Sequence, residues 1–192
     1  WTVAIYAFTS WAPILILPAF IGVLFVETAY GVSKTQASNA MIIAWLGIGV
    51  GSTLLGWLSD KINRRVILLS LSSLLGLVSI SLAIYYPALG YKWLCVWLFL
   101  FGFSAGAQSL TFAVIKDNNP KSQVGAAMGF NNVLVVCGGA IFQPLVGYLL
   151  SLFWDGTLDG TAPVYQIQAF QYALMVVPGC FLIGLVFALV GI

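Results

Sequence analysis

The 192-residue chain contains no histidine and very little charge, and each absence excludes a class of function. Without histidine there can be no Ser-His-Asp or Cys-His nucleophile pair and no His-based zinc site, which argues against hydrolytic chemistry. Charged residues make up 6% of the chain, whereas a soluble domain carries roughly a quarter. So few charges cannot keep a folded surface in water. We therefore do not expect a soluble enzyme.

The few cysteines and the small net charge also exclude classes of partner, namely metal ions and nucleic acid. Three cysteines lie in separate apolar runs without a Cys-x-x-Cys spacing, so they predict neither a disulfide framework nor a metal site: Cys95, Cys137 and Cys180. The net charge of +2 is too small to suggest nucleic acid, and the basic residues lie in short loops. We predict no enzyme activity, no cofactor, no metal and no nucleic-acid partner.

What the chain has in abundance is hydrophobic sequence, at 61% of its residues. Several uninterrupted apolar runs approach the roughly 20 residues that a helix needs to cross a bilayer. Six spans are predicted, at about residues 3–26, 39–58, 66–86, 93–115, 125–153 and 166–192. The Asp-Gly pairs of the last connecting loop indicate solvated turns, since they lack the acidic spacing of an EF-hand. We expect one all-α, six-helix transmembrane bundle over residues 1–192.

Charge in the loops predicts the orientation. The loops after the second and fourth spans carry five basic residues, Lys61, Arg64, Arg65, Lys116 and Lys121, against Lys34 and Lys92 on the other side. The positive-inside rule puts the richer side in the cytosol, together with both chain ends. We expect a multi-pass protein of a bacterial inner membrane. Because it begins at Trp1 without a Met or a signal peptide, we expect a piece of a longer polypeptide.

One loop carries a recognisable motif. Residues 56–65 read GWLSDKINRR and place four charges in a tight turn between the second and third spans. This pattern resembles the signature of the major facilitator superfamily, with Asn63 where the family has its second glycine; asparagine tolerates a left-handed backbone well. The resemblance implies a cytoplasmic gating motif formed by Gly56, Asp60, Lys61, Arg64 and Arg65. Gly56 is expected to allow close helix approach, and Asp60 to bind free amides at a helix N-terminus.

The rest of the chain resembles the C-terminal half of such a transporter. The residues that carry this resemblance are Trp11-Ala12-Pro13 with Pro18 in the first span, and the stretch from Gly125 to Gly147 in the fifth. The resemblance implies a half made of two three-helix inverted repeats, which rocks against a missing N-terminal half around a central cavity. Its partners would be the lipid bilayer, the other half and a small-molecule solute.

Polar residues inside spans are the candidate cavity lining, because lipid leaves unpartnered polar groups costly. By resemblance, the first, second, fourth and fifth spans border the cavity. The candidates are Tyr6, Ser10, Trp11, Gln108, Asn131 and Asn132. Helix-to-helix hydrogen bonding is an equally good interpretation of any one of them. Pro144 is a candidate hinge, and the pairs Gly47/Gly51, Gly102/Gly106 and Gly125/Gly129 are expected to pack helices closely.

The leading functional hypothesis is half of a secondary active transporter for a small polar metabolite. The alternatives are a channel or pore subunit, which would need a selectivity motif or polar ring, and a non-transporting membrane scaffold. No Asp, Glu, Lys or Arg lies within a predicted span. Proton coupling would therefore have to come from the other half, and uniport remains open.

Overall fold

Six long helices form the structure, a computed structural model that describes residues 1–191. Their segments are α1 (Thr2–Ile16, Leu17–Ile21 and Gly22–Tyr30), α2 (Lys34–Ile62), α3 (Arg65–Tyr85), α4 (Tyr91–Ala105 and Gln108–Asn118), α5 (Val124–Leu152) and α6 (Ile167–Ala173 and Val176–Gly191). All six are long and apolar enough to cross a membrane. The predicted all-α, six-helix membrane fold is therefore confirmed. Ile192, the last residue of the sixth predicted span, lies outside the described residues.

Short polar sequences set the helix ends. Ser33 and Gln36 form a reciprocal capping box at the start of α2. Asn63 ends α2 with φ of 53°, in the left-handed region that asparagine tolerates. The helices extend past the predicted spans, so Glu27 lies within α1, in its last turn. A carboxylate is thus present on a long helix after all, near the end of the bundle opposite Asn63.

Among the described residues three helices are interrupted: α6 between Ala173 and Val176, and α1 and α4 near their middle. In α1, residues Leu17–Ile21 form a π-helical turn; Pro18 has no N–H to donate to an α-helical bond, which explains why the regular ladder stops there. In α4 the regular helix stops at Ala105 and resumes at Gln108. The sequence analysis placed Pro18 within the first span but did not foresee the break at Gly106.

The packing follows an internal symmetry. The extensive contacts are those of α2 with α4, of α1 with α5 and α6, and of α3 with α4 and α6. Exchanging α1, α2 and α3 for α4, α5 and α6 maps this set of contacts onto itself. The two helices that are interrupted near their middle, α1 and α4, are partners in the exchange. The arrangement is that of two three-helix repeats related by a pseudo-twofold axis.

Glycine permits the closest of these contacts, between α2 and α4. A Cβ at Gly51 would collide with the Phe103 carbonyl oxygen, and one at Gly102 with the Ala44 carbonyl oxygen. Gly47 and Gly106 are equally crowded by backbone of the opposite helix. These four glycines therefore pack as expected. Gly125 and Gly129 do not, because no described atom outside the backbone of their own helix lies within 4 Å of their Cβ positions.

The core between the helices is apolar. Its largest buried side chains come from α1, α4 and α6, where Phe101 and Phe181 meet edge to face at 5.8 Å. Gly76 in α3 leaves the space that the ring of Phe181 occupies. This core fixes α1 and α4 in position, and both candidate cavities described below lie against these two helices.

The loop between α5 and α6 is exposed, as expected of a solvated turn, and it also contains a pair of short strands. Strands β1 (Leu158–Asp159) and β2 (Ala162–Pro163) pair in a small antiparallel hairpin. Trp154 donates its indole N–H to the carbonyl oxygens of Thr157 and Val164, at 3.0 and 3.1 Å. Asp155 accepts hydrogen bonds from Thr157, which lower the pKa of its carboxyl group. Asp159-Gly160 thus lies at the hairpin turn, and Asp155-Gly156 precedes the first strand.

Gly51→Ala should destabilise the bundle by about 1–3 kcal/mol, because the new methyl group overpacks the α2–α4 contact. Gly49→Ala is the matched control, since no described atom outside the helix's own backbone lies within 4 Å of its Cβ position. Thermal unfolding of both variants in detergent, followed by circular dichroism, measures the difference. Equal midpoints would contradict the close contact.

Candidate functional site

Two cavities lined by described residues border α1 and α4, the helices interrupted near their middle. We call the end of the bundle that carries residues 56–65 the motif end. The motif-end cavity, of about 500 Å³, lies between the start of α1, the end of α4 and the start of α5. The mid-bundle cavity, of about 240 Å³, lies between α1, α2 and the break in α4. The larger one is within the usual size range of small-molecule sites.

The mid-bundle cavity brings together two of the predicted residues. Trp11 of α1 and Gln108 of α4 line it, together with Ser52 of α2. Gln108 is the first residue after the α4 break, so the irregular backbone at Gly106 places its side chain at the cavity. Irregular backbone within a membrane is tolerated where it is covered by protein or lines a cavity.

Ser10 lies behind Gln108 and bonds to it. The distance from Ser10 Oγ to Gln108 Oε1 is 3.2 Å, and both side chains are buried. The Gln108 Nε2 group has no hydrogen-bond partner among residues 1–191. A buried, unpartnered amide is costly, by about 1–3 kcal/mol. An incoming polar molecule that accepts a hydrogen bond would remove that cost.

Asn131 of α5 is on the wall of the motif-end cavity and is completely buried. Its Nδ2 group donates to Thr111 Oγ1 at 3.2 Å, and its Oδ1 atom has no partner within the described chain. Thr111 is one turn beyond Gln108 on α4. Ser10, Gln108, Thr111 and Asn131 therefore form a polar path through the apolar core, with one cavity at Gln108 and the other at Asn131.

The remaining predicted cavity residues lie elsewhere. Tyr6 is buried against α3, where its hydroxyl group donates to the Leu69 carbonyl oxygen at 3.1 Å, and it lines neither cavity. It bonds between helices, which was the alternative interpretation. Asn132 is exposed on the outer side of α5, because it follows Asn131 by a 100° turn of the helix.

The sequence analysis did not single out several polar residues of this region, among them Ser52, Thr111, Asn118 and Asn119. Residue type alone gives no signal for Thr111, since a threonine in a helix ordinarily bonds to its own backbone. Asn118 and Asn119 end α4 and line the motif-end cavity, but they fell outside the predicted fourth span. The signal that could have found them is the run Lys116-Asp117-Asn118-Asn119, which is dense in polar groups beside a span.

Charged residues join α3 to α4 at the motif end. Arg65 Nη2 lies 3.0 Å from Asp117 Oδ2 and 4.0 Å from Asp60 Oδ1. Asp117, which the sequence analysis did not single out, precedes Asn118 of the cavity wall. The carboxylates are 80% exposed at Asp60 and 52% exposed at Asp117, so water screens both pairs. The two ion pairs are therefore weak, but the position of Arg65 between Asp60 and Asp117 connects the loop at residues 56–65 to α4.

The other motif residues behave differently from Arg65. Arg64 is exposed and makes no ion pair within residues 1–191. Lys61 lies 5.0 Å from the ring centre of Trp57 on the outer face of α2. No described atom outside its own helix backbone lies within 4 Å of the Cβ position of Gly56, so the close approach expected there is not made in this bundle.

Asp60 also departs from expectation, because no helix N-terminus donates a hydrogen bond to it within the described chain. Its nearest partner is the guanidinium group of Arg65. The candidate hinge, Pro144, lies in a part of α5 that stays helical throughout. Beside it, Gln143 Nε2 donates to the Leu15 carbonyl oxygen of α1 at 2.8 Å, just before the π-helical turn.

Comparison with known proteins matches this architecture to one family. The family profile described as the Major Facilitator Superfamily matches residues 2–192. YcxA of Bacillus subtilis (strain 168), described as an uncharacterized MFS-type transporter, is 32% identical over 146 residues, which cover 69% of this chain and 36% of YcxA. The chain therefore spans well under half the length of this relative.

Solved structures give the same result. The chain is similar to the inward open xylose transporter XylE from E. coli, with a TM-score of 0.72 and 15% identity over 98% of this chain and 45% of XylE. A structure of the proton:xylose symporter XylE bound to 6-bromo-6-deoxy-D-glucose gives 0.73 and 16%, over 98% of this chain and 43% of XylE. At such identities the likeness shows the fold alone, and this fold is about half of each matched protein.

Proposed function

Because the chain belongs to the major facilitator superfamily, a family of membrane transporters, we propose that it is one six-helix half of a secondary active transporter. The half moves a small, neutral polar metabolite by alternating access, together with a second six-helix half. Family membership points to transport rather than catalysis, and the apolar helices make the chain an integral multi-pass membrane protein.

The observation that carries this proposal is the uneven burial of the helices. In an apolar 18-residue stretch of each helix, the share of residues buried inside the bundle is 28% for both α2 and α5 and 39–67% for the other four helices. These two helices exchange under the internal symmetry, so the bundle carries two equivalent open faces. Gly56 on α2 and Gly125 and Gly129 on α5 lie on helices with such faces and have open Cβ positions. The second half would cover both faces and use these glycines for close packing.

The polar groups of the cavities support a neutral solute. The side chains that line the two cavities include tryptophan, serine, glutamine and asparagine, and none of those in the described lining is charged. An ion entering such an apolar site would lose its hydration without gaining a countercharge. A neutral molecule with hydroxyl or amide groups can bond to the free polar atoms of Gln108 and Asn131.

The charged loop supports a gate at the motif end. Arg65 connects the α2–α3 turn to Asp117 of α4, and Asp117 is next to the wall of the motif-end cavity. A movement of α4 that opens or closes the cavity must therefore change this ion pair. Asp60 and Arg64 remain exposed and available to the second half. The pairs act as a latch for one state of the transport cycle.

The motif end faces the cytosol in this proposal, in a bacterial inner membrane with both ends of the chain on the same side. The excess of basic loop residues at that end supports this orientation. A cysteine placed at Asn63 in the full-length protein should resist impermeant thiol reagents in sealed cells and react after lysis. A cysteine at Gly160, in the opposite loop, should react in both. The reverse pattern would overturn the orientation.

Arg65→Ala should lower the maximal uptake rate of the full-length protein by about twofold to fivefold, the value of a screened ion pair, because the turn loses its link to α4. Arg64→Ala is the matched control with no ion pair in this bundle, and we expect it to have the smaller effect. Asp60→Asn should also impair uptake, whereas all three variants should insert normally. Uptake into proteoliposomes measures the rates. Wild-type rates for Arg65→Ala would refute the gating role.

Gln108→Ala should raise the half-saturating solute concentration about threefold to tenfold, the value of one or two hydrogen bonds. Asn131→Ala should do the same. A thermal-shift screen of sugars, nucleosides and amino-acid amides on the full-length protein supplies the solute. Asn132→Ala, one residue along but exposed, is the control. Unchanged concentration dependence in the first two variants would remove them from the site.

A further inference from the structure

The hydroxyl group of Thr111 controls which atom of Asn131 is free. Thr111 Oγ1 lies 2.7 Å from the Gln108 carbonyl oxygen and donates its proton there. A hydroxyl group has one proton, so towards Asn131 it can only accept. The Nδ2 group of Asn131 is therefore the end of the amide that faces Thr111, and Oδ1 is the end left without a partner.

Gln108 offers a contrast, because nothing fixes its amide in the same way. Ser10 Oγ lies 3.2 Å from Gln108 Oε1 and 3.4 Å from the Ala7 carbonyl oxygen. Its proton can go to either oxygen. When it goes to Ala7, Ser10 can accept from a turned Gln108 amide. Gln108 can thus present either a donor or an acceptor, whereas Asn131 presents an acceptor.

The two other amides on the wall of the motif-end cavity agree with Asn131. Asn118 donates its Nδ2 group to the Val114 carbonyl oxygen at 2.8 Å, and Asn119 donates to the Ile115 carbonyl oxygen at 2.8 Å. In all three amides one N–H of the amino group is engaged by the protein, whereas the Oδ1 atom of Asn131 has no partner at all among the described residues. Carbonyl oxygens remain for bonding, and no charged side chain is on the described wall of this cavity.

We propose that Thr111 is a positioning residue that makes the motif-end cavity select a solute group that donates a hydrogen bond. The group is an N–H or O–H of a neutral molecule. Carboxylates, phosphates and ethers are rejected, because each would place an oxygen against the buried Asn131 Oδ1 without a proton between them. This inference rests on the proposed transport function and names the chemical class of its solute.

The test uses binding to the purified full-length protein, with four neutral donors as probes: xylitol, D-glucose, uridine and nicotinamide. Each is paired with its fully methylated derivative, which keeps the skeleton and loses the donors, and succinate represents anions. We expect the wild-type protein to bind at least one donor about tenfold or more tightly than its methylated partner, the value of a buried hydrogen bond. Succinate should not bind.

Thr111→Val removes the hydroxyl group and releases the Asn131 amide to turn. The preference for the donor over its methylated partner should then fall about tenfold, and Thr111→Ser should restore it. Thr9→Val is the control, because Thr9 is also buried and bonds only to backbone carbonyl groups of its own helix. A purely structural role of Thr111 would weaken both members of each pair equally. If Thr111→Val does not fold, Asn131→Leu, which removes the acceptor, should abolish the same preference.

The outcomes separate this inference from the transport proposal. A wild-type protein that binds no donor, prefers the methylated partners or binds succinate overturns the selection of donors. An unchanged preference in Thr111→Val and in Asn131→Leu overturns the role of the Thr111–Asn131 pair. Selective binding without uptake into proteoliposomes would support the inference and contradict the transporter. Uptake by the wild-type protein, with an unchanged preference in Thr111→Val and Asn131→Leu, would support the transporter and contradict the inference.

Discussion

Close approach of helices at glycine is the constraint on which this structure depends. In a bilayer, lipid tails are as apolar as the helix surfaces, so burial alone gives little reason for helices to associate. The α2–α4 contact overcomes this through Gly51 and Gly102, which bring opposing backbones together. Its symmetry partner, the α1–α5 contact, uses Gly138, whose Cβ position lies 3.1 Å from the Ala12 side chain. The two symmetry-related contacts thus both pack closely at glycine.

Because the helices pack this closely, buried polar side chains have few possible hydrogen-bond partners. The helices are held so closely that a side-chain amide inside the bundle must bond across to a neighbour or remain unpartnered. Ser10 with Gln108, and Thr111 with Asn131, form the two cross-helix pairs of the polar path. Gly106 packs against the backbone of α2 and also interrupts the regular helix just before Gln108, where the path meets the mid-bundle cavity. Packing and the candidate site therefore have the same origin.

Hydropathy predicted most of the architecture, and residue type predicted part of the site. Six apolar segments and the loop at residues 56–65 could be read directly, because the cost of placing charge in lipid leaves a strong pattern. The same reasoning grouped Tyr6 with Gln108, although Tyr6 bonds to α3 and Gln108 lines a cavity. Polarity within a span signals that a residue avoids lipid, but it does not say which neighbour the residue meets.

The sequence by itself determined that six helices cross a membrane, which end carries most of the basic charge, and that Asn63 can end a helix in a left-handed turn. Each follows from local composition. Only the tertiary structure decided that Arg65 rather than Arg64 pairs with Asp117, and that Thr111 turns the amide of Asn131. Those facts depend on atoms far apart in the chain, and their distances exist only once α3, α4 and α5 have packed together.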